Sequence, residues 1–354
     1  MAAPRGSRER AVKDELGVLV VGAGRAGLVH ARNFAAGVAG ARLSALADPD
    51  PEALVRGAAE VGCERTFSEP LEGIADGRVQ AVIIASPTPT HAELAVAALE
   101  AGKHVLCEKP LASSLEEAAV VARAAATSDA VFAMGFMRRF HADFLALADR
   151  VAAGEIGEPL LVRSTGRGPG LPPEWALDPE LSGGLVAEVN SHDLDTVRWL
   201  SGQEFVTAYA VGRAAKRPEL AERFPGFVDV LAATFELSGG VLAQVDGACP
   251  AGYGYDARIE VYGSEGVLLA GDPRRNTTLL VRAEGAVVEP MRSWRELFAD
   301  AYRAEDAHLA AAARGEEAPR TTVDDGVRAL EAVVAVNRSL AEGVPVALER
   351  ALSA

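Results

Sequence analysis

Cysteine is scarce in this chain: Cys63, Cys107 and Cys249 are the only three among 354 residues. An odd number with no shared metal-like spacing speaks against a disulfide framework and against a bound metal, and it fits a reducing cytoplasm. Long apolar runs are missing too. None reaches the roughly 18 residues of a membrane span, so no membrane partner is expected. Cations are in the minority, with 35 Lys and Arg against 50 Asp and Glu and a formal net charge of −15. Binding by counterion release needs clustered Lys and Arg, so a nucleic-acid partner is excluded as well. No strong repeat is visible, and no low-complexity block beyond an Ala-rich bias. The first fifteen residues, Met1 to Glu15, are of mixed charge without the apolar core of a secretory signal and read as a tail. What is present is ordinary globular composition, 24% charged and 49% hydrophobic, in a chain long enough for two separate cores.

From Leu16 to about Ala130, short β-branched runs alternate with Ala/Leu-rich helical stretches, which predicts a doubly wound parallel sheet. The strands are expected at Gly17–Val21, Arg42–Ala47, Ala81–Ala85, His104–Cys107 and Val131–Gly135. Helices are expected between them at Ala26–Ala35, Pro51–Val61, His91–Ala101 and Leu115–Ala126. Beyond Phe136 the pattern changes. A helix at Ala142–Ala153 leads to a strand at Leu160–Ser164, a Gly/Pro-rich loop from Gly166 to Pro173, and a helix at about Gly184–Leu200. Strands then follow one another at Phe205–Val211, Phe227–Leu237, Val241–Ala248 and Asp256–Val261, with turns such as Ser238-Gly239-Gly240. Consecutive strands of this kind imply an open, mostly antiparallel sheet. Helices at Trp294–Ala313 and Asp324–Leu340 close the chain. The expected fold class is therefore α/β: residues 16–136 form a Rossmann domain, and residues 137–354 form a second α/β domain whose last helix packs back on the first.

Two motifs in the first domain carry chemistry. Val18-Leu19-Val20-Val21 runs into Gly22-Ala23-Gly24-Arg25-Ala26-Gly27, a strand feeding a G-x-G-x-x-G turn and then a helix. Gly22 permits the tight bend, Gly24 close approach of the backbone to a pyrophosphate, and Gly27 close helix–strand packing. The phosphates would lie at a helix N-terminus, where free N–H groups favour anions. In a chain with 35 glycines that motif is weak by itself. Its context strengthens it, because Asp48 closes the second strand and can hold both ribose hydroxyls while repelling a 2′-phosphate. Neither Pro49 nor Asp50 offers a cation, so NAD is the expected cofactor rather than NADP. The bland alternative is that Asp48 caps the helix starting at Pro51. The second motif is Cys107-Glu108-Lys109-Pro110, which sets a lysine and a carboxylate at the end of a later strand of the same sheet.

With these residues in view, the chain resembles the glucose–fructose oxidoreductase/inositol dehydrogenase family from Leu16 to Leu348. The carriers are the glycine turn, Ser86-Pro87-Thr88-Pro89-Thr90-His91, Gly102-Lys103-His104-Val105-Leu106-Cys107-Glu108-Lys109-Pro110, Gly135-Phe136-Met137-Arg138-Arg139-Phe140, Gly154-Glu155-Ile156-Gly157-Glu158-Pro159 and Asp324-Asp325-Gly326-Val327-Arg328-Ala329-Leu330. The resemblance implies that Arg25, Ala26, Ser86, Pro87, Thr88, His91 and Glu108 join the glycines and Asp48 at NAD. It also implies that Lys109 lies beside nicotinamide and substrate, with a cis Lys109–Pro110 bond. Within Gly183–Asp195 it marks Glu188 and His192 as catalytic, and the family usually has Asp where Glu188 stands. Glu188, His192 and Asp195 are spaced i, i+4, i+7, so they are expected on one helix face.

The implied chemistry is hydride transfer from a secondary alcohol. His192, with a reference pKa near 6.5, accepts the alcohol proton; Lys109, near 10.4, donates to the oxygen; Glu188 orients His192 or binds a neighbouring hydroxyl. Met137-Arg138 and Tyr253-Gly254-Tyr255-Asp256 are similar to inositol dehydrogenases in particular, which makes Arg138 and Tyr255 substrate candidates. Those enzymes carry a His-Arg-Asn triplet after the strand at Leu160–Ser164. Here the stretch is Thr165-Gly166-Arg167-Gly168-Pro169, which keeps only Arg167. The substrate class is accordingly a cyclic polyol or sugar: inositol, aminocyclitol, pyranose or glycoside. Two other classes stay open, NAD-assisted glycoside cleavage without net redox and a non-catalytic NAD-sensing regulator. A homodimer or homotetramer is expected, with an exposed sheet face as its surface.

Overall fold

The computed structural model describes residues 15–351, so all of the expected tail except Glu15 lies outside the described residues. The chain divides into two compact units. The first comprises the chain through Leu111, Glu117–Gly135 and Tyr302–Val323; the second comprises Ala112–Glu116, Phe136–Ala301 and the chain from Asp324. The stretch that returns to the first unit is thus Tyr302–Val323. The last helix, expected to pack there, belongs to the second unit.

In the first unit, six strands form one parallel sheet in the order β3-β2-β1-β4-β5-β6. They are β1 (Leu16–Val21), β2 (Ala41–Ala47), β3 (Thr66–Phe67), β4 (Ala81–Ile84), β5 (His104–Glu108) and β6 (Phe132–Gly135). Strand order reverses between β1 and β4, the switch point at which open α/β sheets bind ligands. The crossovers include α1 (Gly27–Ala36), α2 (Pro51–Val61), α3 (His91–Glu100) and α4 (Leu115–Thr127). Local chemistry sets their ends. Asp50 accepts a hydrogen bond from the Glu52 N–H, Pro51 opens α2, and Gly62 closes it at φ +67°. The core joins Val18, Val20, Leu46, Ile83 and Leu106 of the sheet to Ala31 and Phe34 of α1 and to Leu309 and Ala310. Each large aliphatic chain so buried contributes about 1.5–3 kcal/mol, which explains why these strands are near-continuous apolar runs.

The second unit contains α5 (Ala142–Ala152), α6 (Ser191–Ser201) and a seven-stranded sheet ordered β12-β11-β7-β10-β9-β8-β15. Its strands are β7 (Pro159–Arg167), β8 (Phe205–Arg213), β9 (Val230–Leu237), β10 (Leu242–Ala248), β11 (Asp256–Gly263), β12 (Val267–Ala270) and β15 (Val346–Ala347). A separate hairpin pairs β13 (Arg274–Arg282) with β14 (Gly285–Pro290). The sheet is antiparallel except where β10 runs parallel to β7. Helix α7 spans Ala299–Ala313, and α8 spans Val323–Glu342. Alternate residues of the strands are buried, and α6 and α8 cover that face. Ser339 of α8, for example, accepts a hydrogen bond from the Ala210 N–H, and Ser164 of β7 donates to Asp193 of α6. The other face is open and carries Tyr209, Val211, Leu242 and Tyr262. Among the described residues no helix is long and apolar enough to cross a membrane.

Candidate active site

The glycine turn follows β1 at the switch point, and two of its three glycines, Gly22 and Gly27, have a geometric reason. Gly22 has φ +104°, and a Cβ on it would lie 2.6 Å from the Ala85 carbonyl oxygen. At Gly27 a Cβ would lie 1.8 Å from the Gly22 carbonyl oxygen, so only glycine lets α1 start against the strand. Gly24 is the opposite case: a Cβ would meet nothing within 4 Å. Its backbone faces open space, as a cradle for phosphates requires. Asp48, just past β2, accepts hydrogen bonds from the N–H of Ala23 at 2.7 Å and of Asp50 at 2.9 Å. The cap of α2 is Asp50, so Asp48 is a carboxylate set against the mouth of the glycine turn. These residues fit a dinucleotide whose adenosine ribose carries free hydroxyls.

A charge so placed should exclude a 2′-phosphate. Asp48→Ala is expected to shrink the preference for NAD over NADP by about tenfold to a hundredfold, each factor of ten being about 1.4 kcal/mol. Titration of both cofactors against wild type and variant measures this, and equal wild-type affinities would overturn the assignment.

At the same sheet edge, the loop after β4 carries Ser86, whose hydroxyl lies 2.6 Å from that of Thr90. His91, expected at the cofactor, is buried instead. Its Nδ1 lies 2.7 Å from the Pro110 carbonyl oxygen and its Nε2 2.8 Å from that of Ser86. Burial pulls its pKa below the ordinary imidazole value, and a neutral ring donates to one of these carbonyls at a time. His91 therefore ties two loops together. Glu108 also turns inward, 5% exposed, with Oε1 3.3 Å from His30 Nε2. Burial pushes its carboxyl up, but the bond and charge of His30 outweigh this and hold it below the usual range. Between buried Glu108 and buried Pro110, only Lys109 is half-buried, and the Lys109–Pro110 peptide is cis.

In the second unit, Gly183 and Gly184 both take positive φ, and the chain then makes a π-turn over Val186–Asn190 before α6 begins at Ser191. Glu188 lies in that π-turn and His192 in the first turn of α6. Glu188, His192 and Asp195 are therefore not carried by one uninterrupted α-helix. The π-turn shifts the register, and Asp195, 1% exposed, is bound by Arg139 at 2.5 and 3.0 Å. Arg139 also reaches Asp325, as does Arg198, so this carboxylate pair ties α6 to α8. Glu188 is half-buried and lines a shallow recess with Leu177, Leu185, Val189 and Phe227. His192 is 7% exposed, its ring edge-on to Phe136 with centroids 6.1 Å apart.

The other substrate candidates are held by the protein itself. Arg138 is 1% exposed, and its NH1 donates to Asp193 at 2.6 Å. Asp193 accepts further bonds from Ser164 and Asn190, and Gly166 and Gly247 leave room for this cluster, since a Cβ on either would lie 2.1 Å from it. Tyr255 is buried beside Arg138; burial raises its hydroxyl's pKa. Arg167 lies on the opposite sheet face. Ser164 and Gly166 point toward α6, so the two-residue alternation turns Arg167 away, and it binds Asp246 at 2.6 Å and Tyr253. His30, Asp306, Asn190 and Asp193 were not read from the sequence. A histidine within the apolar stretch around Leu28, Ala31 and Phe34 is the signal for His30, and an acid inside an Ala-rich helix is the signal for Asp306. No group of three or more metal-ligating side chains is found among the described residues.

Comparison with known proteins agrees with this geometry. Residues 16–136 match the model of an oxidoreductase family described as an NAD-binding Rossmann fold, and residues 148–348 match the family's C-terminal alpha/beta domain. The chain is 33% identical over 330 residues to a scyllo-inositol 2-dehydrogenase (NAD(+)) of Bacillus subtilis, covering 93% of this chain and 95% of that one. It is 38% identical over 308 residues to inositol 2-dehydrogenase 2 of Saccharopolyspora erythraea, covering 86% and 87%. The crystal structure of scyllo-inositol dehydrogenase from Lactobacillus casei with bound NAD(H) and scyllo-inositol superimposes with a TM-score of 0.88 at 28% identity, covering 94% of this chain and 99% of that one. A glycine turn at the switch point, a carboxylate at its mouth and a matched second domain thus coincide in one chain, which belongs to the Gfo/Idh/MocA (glucose–fructose oxidoreductase/inositol dehydrogenase) family of NAD-binding oxidoreductases.

Proposed function

We propose that this NAD-dependent oxidoreductase acts on a secondary alcohol of a cyclitol, with Lys109 and His192 as the reacting pair and Glu188 on a neighbouring hydroxyl. The observation that carries the reading is the position of Lys109: it directly follows β5 at the edge that bears the glycine turn and Asp48, flanked by two buried residues. The relatives named as inositol 2-dehydrogenases support a cyclitol, and nothing about them favours redox-assisted cleavage or a regulator. Bound NAD supplies the hydride acceptor. The protein's part is to manage the alcohol's proton and charge. His192 accepts the hydroxyl proton, and the Lys109 ammonium donates a hydrogen bond to the oxygen as negative charge develops. Glu188 accepts a hydrogen bond from the adjacent hydroxyl and so selects ring polyols. Arg138 and Tyr255 support the segment from within, and Arg167 takes no part. The three free cysteines, two of them buried, suit a reducing cytoplasm, and the open sheet face suits a homodimer or homotetramer.

The test is oxidation of cyclitols, pyranoses and glycosides followed by NADH absorbance. Net NADH formation is expected, best with a cyclitol. Glu188→Gln should lower kcat/KM for that substrate by about tenfold to a hundredfold, the cost of about 1–3 kcal/mol for an unpaired buried hydroxyl. The loss should be smaller for an analogue lacking the neighbouring hydroxyl, and Glu188→Asp should shift preference among ring polyols. Equal oxidation of acyclic alcohols, unaffected by Glu188→Gln, would overturn the cyclitol reading.

A further inference from the structure

Three buried side chains from distant parts of the sequence converge behind Lys109 within the first unit. His30 of α1 has Nδ1 2.7 Å from Asp306 Oδ1 and Nε2 3.3 Å from Glu108 Oε1. His30 and Asp306 are fully buried, and Glu108 nearly so. The chain of contacts continues at both ends. Behind, Asn33 donates to the second oxygen of Asp306 at 2.7 Å, and Tyr302 packs edge-on against the His30 ring at 5.3 Å. In front, the second oxygen of Glu108 accepts the main-chain N–H of Lys109 at 3.2 Å. The neighbouring strand closes the space, since a Cβ on Gly135 would lie 3.1 Å from the Glu108 carboxylate.

An imidazole with a carboxylate oxygen at each nitrogen donates to both only when doubly protonated. Burial opposes that charge, yet Asp306 and then Glu108 hold the His30 pKa well above its ordinary value. A buried ionic trio is a poor choice for stability alone, because apolar residues of similar volume do as well or better. What the trio supplies is a fixed orientation. We propose that His30 is a positioning residue for Lys109: backed by Asp306, it fixes the Glu108 carboxylate, and Glu108 fixes the main chain from which the lysine extends. The proposal rests on the reading of Lys109 as a reacting group.

A double-mutant cycle tests it on the NAD-loaded enzyme. His30→Gln and the near-isosteric Asp306→Asn should each lower kcat by about tenfold while KM for NAD stays within about twofold, the scale on which residues behind a reacting group act. In a Lys109→Met background, assayed at high enzyme concentration, the same changes should cost less than about twofold, because a residue acting through Lys109 has nothing left to position. Equal losses in both backgrounds would show a merely structural role, and no loss in the wild-type background would also overturn the proposal. Near-normal turnover of Lys109→Met alone is a separate failure, that of the Lys109 reading, and takes the proposal with it. Should His30→Gln not fold, Asp306→Asn carries the cycle.

Discussion

Lys109→Ala and His192→Ala are each expected to lower turnover by about two to four orders of magnitude, the scale of a lost general acid–base or oxyanion-stabilising group. The two losses arise differently. On the proposed reading, loss of His192 removes the acceptor of the alcohol proton. Without Lys109 the developing charge on oxygen loses its cationic donor. If both groups serve one transfer, as proposed, the double variant should fall far short of the product of the single losses. NAD affinity, read by fluorescence titration, should survive His192→Ala, since the glycine turn and Asp48 belong to the other unit. Steady-state kcat from NADH absorbance is the deciding measurement. Near-normal turnover after either change would mean that other residues do the chemistry.

The parallel sheet was legible because strands buried on both faces must be apolar without interruption, as Val18–Val21 and Ala81–Ile84 are. The antiparallel strands of the second unit were legible from their turns. The two-residue β3 was not, because it is too short to show a pattern. The β13–β14 hairpin was not either: most of its residues are exposed, so no burial alternation distinguishes it. The glycine turn after β1 and the placement of Asp48 after β2 and Lys109 after β5 follow from local sequence. The misplaced candidates depended on something local sequence does not show. The expected face of Glu188, His192 and Asp195 assumed an unbroken α-helix, and one π-turn interrupts that helix. The strand expected at Leu160–Ser164 runs on to Arg167, and that extension alone decides which sheet face Arg167 takes. Arg138 and His30 find their carboxylates 55 and 276 residues away. No spacing argument reaches that far.

Arg138 and Asp193 give the largest expected effect on stability. The pair is almost wholly buried, at 1% and 0% side-chain exposure, and 2.6 Å apart. Removing one member leaves the other's charge in a site that cannot hydrate it, at a cost of about 3–5 kcal/mol. Asp193→Ala should therefore destabilise the second unit by that amount. The guanidinium left behind cannot lose its proton and so cannot escape the penalty by becoming neutral. Arg138→Met is the informative contrast. It leaves a carboxylate that keeps the Ser164 and Asn190 donors, so its penalty should be the smaller of the two. Urea unfolding followed by tryptophan fluorescence isolates the effect, because all three tryptophans, Trp175, Trp199 and Trp294, lie in the second unit. Asp193→Ala within about 1 kcal/mol of wild type would show that the pair is screened or replaced, contrary to its burial.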